Sequence, residues 1–216
     1  MPVVAAKLKA LLPYTLLILA GGLTTLAFAP YTLWWLPLLT QSLLVFFVQR
    51  ATSAKQACLY GFSYGLGWFG VGISWVHVSI DQFGGLPLAG SLGLMALLVS
   101  YLALFPLLAS ALSYQLRLQR IMPLLFAASW TLAEWLRSVM LTGFPWLSLG
   151  YSQTSAGLKD LAPLIGETGI SFVLAFSAAA DVQAKATCPL QLCYCCWYYF
   201  RCKPTADGIQ RLARYR

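Results

Sequence analysis

The stretch Trp130–Tyr151, WTLAEWLRSVMLTGFPWLSLGY, decides how this chain reads. It opens as an apolar helix, and Glu134 and Arg137 then appear inside it. Three residues apart, they fall on one helical face and can pair. A charged side chain at bilayer depth is costly unless it is paired or faces water, so a Glu/Arg couple inside such a helix is unusual. Gly143, Phe144, Pro145 and Trp146 follow. That run must break the helix and leave an aromatic at the interface.

Composition sets the class around this stretch. Of 216 residues, 60% are hydrophobic and only 9% charged. Soluble domains carry about a quarter charged residues, so the chain reads as an integral membrane protein. A net charge of +8 would suggest nucleic acid in a soluble protein. Here it reads as basic loops held on the cytoplasmic side, and no basic patch interleaved with aromatics precedes the last few residues. Nucleic acid is therefore set aside.

The apolar runs predict an all-α fold, a polytopic transmembrane bundle of about six helices with an irregular C-terminal tail. Lys7 and Lys9 precede the first run, Leu11 to Ala29. A basic start and apolar middle also describe a signal peptide, but the run is long enough to span and Pro30 leads straight into the next. Tyr31 to Val48 is the second span, joined to the first by a tight hairpin at Ala29-Pro30, with Trp34 and Trp35 as interfacial anchors. Ala57 to Ile80 is the third. Leu88 to Tyr114 is the fourth, with Pro106 expected to kink it. The fifth runs from about Pro123 to Leu141 and the sixth from about Leu161 to Ala180.

Basic residues orient these spans. Lys7/Lys9, Arg50/Lys55, Arg117/Arg120 and Lys185 fall on one side if the helices alternate. The loops around Tyr31, Asp81 and Ser152 hold almost none apart from Lys159. The positive-inside rule puts the N-terminus in the cytoplasm and the Glu134–Tyr151 region on the outer face.

Within the third span, Gly61 and Gly65 form a small-xxx-small pattern that lets helix backbones approach, and packing is the reading taken. His77, the only histidine, and Asp81 are spaced i,i+4 near its end. They read as a polar helix end at headgroup level rather than a proton relay. Glu134 and Arg137 are expected to pair and fix the fifth helix, and Phe144, Pro145 and Trp146 to shape an interfacial turn. A lipid-portal role is the sharper alternative for all five. Glu167 is expected to cap or pair locally.

After Ala180 the composition changes. Cys188, Cys193, Cys195, Cys196 and Cys202 are five of the six cysteines and all lie in residues 181–216. Cys193 and Cys196 have CxxC spacing, but no second pair and no nearby histidine supports a metal, and no cofactor is expected. Palmitoylation of membrane-proximal cysteines fits a little better than a metal, yet it needs nothing of this particular pattern. The genetic code supplies a third reading. Every codon for Cys, Tyr, Trp and Phe begins with T, so in Cys193–Phe200, CYCCWYYF, one shifted frame puts T in the middle of each triplet. Those triplets encode Leu, Val or Phe, which is what a further transmembrane helix needs. The chain thus divides into a bundle, 1–180, and an aberrant Cys-rich tail, 181–216, expected to be out of frame.

Together, WTLAEWLRSVMLTGFPWLSLGYSQT, LAPLIGETGISFVLAF, GFSYGLGWFGVGISWVHVSIDQFGGLP and LAFAPYTLWWLPLL resemble the membrane domain of apolipoprotein N-acyltransferase, over roughly Leu11 to Ala180. The resemblance implies a bacterial inner-membrane enzyme acting on the outer face. It moves an acyl chain from phospholipid to the α-amino group of the lipid-modified N-terminal cysteine of lipoproteins. The implied chemistry is ping-pong, through a cysteine thioester with a Glu base and a Lys, in a nitrilase-like domain. The implied partners are membrane phospholipid and diacylglyceryl-modified lipoproteins. No catalytic residue carries over, because residues 181–216 are too short for that domain and Cys58 starts the third span on the cytoplasmic side. The chain by itself is expected to be inactive. Two other classes remain open. A small transporter would line several helices with polar residues or show repeats, and a membrane adaptor would use the glycine-rich helix.

Overall fold

The computed structural model describes residues 2–85, 87–115 and 121–187. Arg117, Arg120 and the five tail cysteines lie outside the described residues. Two compact units are present, Met1–Val182 and Gln183–Arg216; of the second, residues 183–187 are described, as the end of a helix. Secondary structure among the described residues is helical throughout. α1 is Pro2–Thr24, α2 Leu36–Gln49, α3 Ala54–Gly72, α4 Val76–Gly84, α5 Leu88–Gln115, α6 Met122–Val139 and α7 Ala162–Thr187.

Local chemistry accounts for several boundaries. Pro37 stands in the first turn of α2 and Pro123 in that of α6, where a missing N–H costs nothing. Ser53 caps α3 by accepting the Gln56 amide at 3.2 Å. The Gln56 side chain reaches back to accept the Thr52 amide at 2.8 Å, a variant of the reciprocal box at helix starts.

Two expected spans are redrawn. The third is two helices, because the chain leaves helical geometry at Ile73 and resumes at Val76. The second starts later than its hydrophobicity suggests. Phe28 to Trp35 form a connection in place of a tight hairpin, held by the Leu33 amide on the Leu26 carbonyl at 3.0 Å. Hydrophobic runs report burial in lipid or core, and a non-helical segment with its backbone bonded reads the same way.

α3 lies between α1 and α5, and its glycines explain how closely. A Cβ at Gly67 would stand 1.9 Å from the Ile18 carbonyl oxygen of α1. One at Gly61 would stand 2.3 Å from that of Pro106 in α5. The expected small-residue packing is therefore present. Aromatic rings fill the centre. Trp68 stacks on Trp130 at 5.6 Å and 13°, with Phe69 and Phe126 continuing the stack on either side. Beside it, Thr24 Oγ1 bonds both Thr40 Oγ1 and Tyr64 Oη at 2.8 Å, tying α1, α2 and α3 together. α7 is tied to α2 by Ser42, which donates to the Ala178 carbonyl at 3.1 Å.

The outer surface is apolar. Leu12, Leu19, Leu92, Leu97 and Leu104 are all exposed, as suits a lipid environment better than water. Three helical segments are long and apolar enough to cross a membrane: Ala10–Ala27, Leu88–Gln115 and Gly157–Lys185.

The connections after α1, α3 and α6 meet at one end. Gln153 Nε2 donates to the Trp34 carbonyl at 2.8 Å, and Trp75 stacks on Trp146 at 5.2 Å. The connections around Tyr31 and Ser152 are thus brought together, and the α3–α4 break joins them through Trp75.

Candidate functional site

The end of α6 builds the site. Its buried face is Met122, Phe126, Ala127, Trp130, Ala133, Glu134 and Arg137, a helical stripe whose last two members are charged. Glu134 is 8% exposed and Arg137 2%. Their bonds run to the loop beyond the helix rather than to each other. Arg137 Nη1 donates to the Phe144 carbonyl at 2.8 Å and to the Trp146 carbonyl at 2.5 Å. The Leu149 amide donates to Glu134 Oε1 at 2.8 Å, and the Ser148 hydroxyl to Oε2 at 3.2 Å. The expected direct pairing is corrected accordingly. Two carbonyls and an amide of a returning loop are fixed partners, and the low-dielectric interior rewards each of those charge-assisted bonds.

The loop is held in an uncommon backbone. Leu141, Thr142 and Leu147 have φ of 50°, 74° and 58°, and Gly143 has 82°. L-residues in the left-handed region cost about 1 kcal/mol or more each and persist only where surroundings over-determine them. Here Arg137 supplies that determination from both main chain and side chain, since the Phe144 amide also donates to its carbonyl at 2.9 Å. The guanidinium lies 5.3 Å over the Phe69 ring, which ties the clamp to α3.

The loop then crosses the α3–α4 break. Leu147 fills the space beside Gly72, where a Cβ would come 2.3 Å from its Cδ1. Phe144 is half-buried, whereas Pro145 and Trp146 are exposed. Trp146 stacks on Trp75 and lies 6.0 Å from the Phe144 ring. Phe144, Pro145 and Trp146 lie in the non-helical connection after α6.

Four further residues belong to the site and were not assigned to it above. The Ser148 hydroxyl also bonds Glu167, so the chain's only two glutamates converge on one serine. Ser171 accepts the Gly150 amide at 2.8 Å. Gly150 sits against the Glu167 carbonyl, where a Cβ would stand at 2.2 Å. α7 carries a break at Gly166, with φ 66° and ψ −179°, just before this contact. The available signal was the scarcity of glutamate: two in an apolar chain, Glu134 inside a helix and Glu167 beside the break at Gly166.

Other candidates fall elsewhere. His77 donates from Nδ1 to the Ser74 carbonyl and so helps shape the break before α4; Asp81 lies exposed on that helix. Cys58 is a free thiol near the start of α3, at the opposite end of that helix from the loop cluster. No grouping of metal-ligating side chains occurs among the described residues.

Comparison with known proteins agrees with the sequence patterns. The family model for the apolipoprotein N-acyltransferase N-terminal domain matches residues 20–180. The chain belongs to the apolipoprotein N-acyltransferase family. The Shewanella oneidensis apolipoprotein N-acyltransferase is 49% identical over 166 residues, covering 74% of this chain and 32% of that protein. That from Vibrio cholerae is 46% identical over 172 residues, covering 76% and 33%. That from Methylococcus capsulatus is 45% identical over 173, covering 78% and 34%. The chain thus spans about one third of the length of the relatives it matches. The clamp and the Phe144–Trp146 loop fall inside the family's N-terminal domain, as do Glu167 and Ser171.

Proposed function

We propose that residues 1–180 form the membrane portion of an apolipoprotein N-acyltransferase, with 181–216 a separate, out-of-frame tail. In this reading six spans cross the bacterial inner membrane from a cytoplasmic N-terminus, the broken third span being α3 with α4. The enzyme transfers an acyl chain from phospholipid to the α-amino group of a diacylglyceryl-modified lipoprotein. Among the described residues the free thiol Cys58 lies at the opposite end of α3 from the loop cluster, so in this reading the bundle does not carry the acyl-transfer chemistry itself. Its part is to hold a rigid platform at the outer face.

One observation carries this reading: two buried charges are used to pin a strained loop and present its aromatics at the helix ends. A charge buried at the end of an apolar helix is costly, and here both are consumed in shaping Phe144–Trp146. Trp rings at a membrane boundary sit at headgroup level, where a phospholipid or a lipidated N-terminus would approach.

The test is a chimera. Residues 20–180 replace the matching region of the Shewanella oneidensis relative, and the product is expressed in cells depleted of their own N-acyltransferase. Mass spectrometry of a lipoprotein N-terminus should then show the third acyl chain, whereas the chain alone should not restore it. A chimera that inserts stably yet leaves lipoproteins diacylated would sink the proposal. Reporter fusions after Val48 and after Ser152 should place those sites in the cytoplasm and outside, respectively.

A further inference from the structure

Beneath the clamp, α3, α5 and α6 line a partly open pocket walled by Trp68, Phe69, Phe105 and Trp130, with Glu134 and Arg137 among its lining residues. It has room for a water-sized guest. Trp68 and Trp130 are 1% and 2% exposed, and neither indole Nε1 has a hydrogen-bond partner in the protein. Indole is a donor only, and a buried donor without an acceptor is destabilising. Two stacked tryptophans share that problem in one pocket.

The acceptor side has capacity to spare. Glu134 accepts from Leu149 at Oε1 and Ser148 at Oε2, with the Ser171 hydroxyl as a third partner, and a carboxylate accepts about four bonds. Arg137 reaches both loop carbonyls from Nη1. What the pocket lacks is a group that accepts twice and donates once. Buried waters in proteins make about three bonds to polar groups otherwise unsatisfied.

We propose that one ordered water occupies this pocket, accepting from the indole N–H groups of Trp68 and Trp130 and donating to Glu134. It joins the aromatic stack of α3 and α6 to the carboxylate that holds the loop. The site is independent of the acyl-transfer reading, because it needs only the packing of these three helices.

The test is nuclear magnetic resonance on the full chain, labelled with ¹⁵N at tryptophan and held in lipid nanodiscs. Trp68→Phe and Trp130→Phe assign the two indole signals. Both indole protons should show the downfield shift of a hydrogen-bonded N–H and a cross-peak to water. Unbonded shifts without that cross-peak would mean a dry pocket and overturn the proposal. Bonded shifts with cross-peaks to lipid protons would overturn it too, in favour of a lipid oxygen. Should either variant fail to fold, a high-resolution crystal structure of the unaltered chain from a lipid mesophase replaces the assignment. One peak within hydrogen-bond distance of both Nε1 atoms supports the water, and continuous side-chain packing without such a peak refutes it.

Discussion

Glu134 accepts the backbone amide of Leu149 at 2.8 Å, across fifteen residues of chain, with both partners buried. The bond turns a helix-borne charge into a fixed anchor for a loop that has no regular ladder of its own. Together with Arg137 it makes loop shape a property of α6.

Removing that anchor should unfold the end of the molecule first. Glu134→Ala leaves the buried Leu149 amide without its acceptor and removes the stronger of the two carboxylates that interact with Arg137, with Glu167 alone remaining to Ser148 and the guanidinium. Breaking a buried charged network costs about 3–5 kcal/mol. Glu134→Gln keeps an acceptor oxygen for the Leu149 amide and should lose clearly less. Thermal unfolding in detergent or nanodiscs gives the order, with wild type above Glu134→Gln above Glu134→Ala. Equal melting temperatures for all three would deny the anchor any role.

Lysine should not replace Arg137. Both carbonyls accept from one nitrogen, Nη1, so what lysine lacks is the guanidinium's longer reach and the planar face laid over Phe69. Arg137→Lys should therefore release the loop, at a cost of about 2 kcal/mol. A cysteine at Thr142 would report it by reacting faster with a water-soluble thiol reagent in the Arg137→Lys background. An unchanged labelling rate would show that the loop holds without the clamp.

Strain in the loop predicts a stabilising change. Leu141 is 77% exposed with φ at 50°, so its side chain gains little packing while its Cβ strains the backbone. Glycine occupies that region freely. Leu141→Gly should raise stability by about 1 kcal/mol, or leave it level once the added unfolded-state entropy is counted. A marked drop in melting temperature would mean Leu141 contributes packing in the membrane that offsets its backbone cost.

Two glycines in neighbouring helices should respond in opposite ways to alanine. At Gly67 a methyl group would meet the Ile18 carbonyl at 1.9 Å, so α1 and α3 must separate; overpacking of this kind costs about 1–3 kcal/mol. At Gly93 in α5 nothing lies within 4 Å, and alanine should gain about 1 kcal/mol of helix propensity. Melting temperatures of Gly67→Ala and Gly93→Ala measure the contrast directly, and similar values for the two would remove the close α1–α3 contact from the account.

Much of this was legible in the residues. Sparse charge and long apolar runs announce helices in lipid, because a backbone without water must satisfy its own hydrogen bonds. Gly143 and Pro145 announced the end of α6, and Gly61 and Gly65 announced close helix packing. The connections around Tyr31 and Ser152, poor in basic residues, are the ones that Trp34–Gln153 joins. Each of these signals is local or periodic, so a chain read in one dimension carries it.

The partners of Glu134 and Arg137 were of another kind. Their i,i+3 spacing made mutual pairing the natural expectation, since helical neighbours are all that spacing can express. Only the folded chain brings the carbonyls of Phe144 and Trp146 and the amide of Leu149 within reach, and only there do Glu167 and Ser171 arrive from α7. The break at Ile73–Trp75 is likewise tertiary, because an apolar segment reads alike whether it is helical or crossed by a loop. Composition and period determined that this chain is a set of apolar helices with two charges out of place. Where those charges were satisfied depended on which backbone groups the packed helices left free, and no spacing along the chain encodes that.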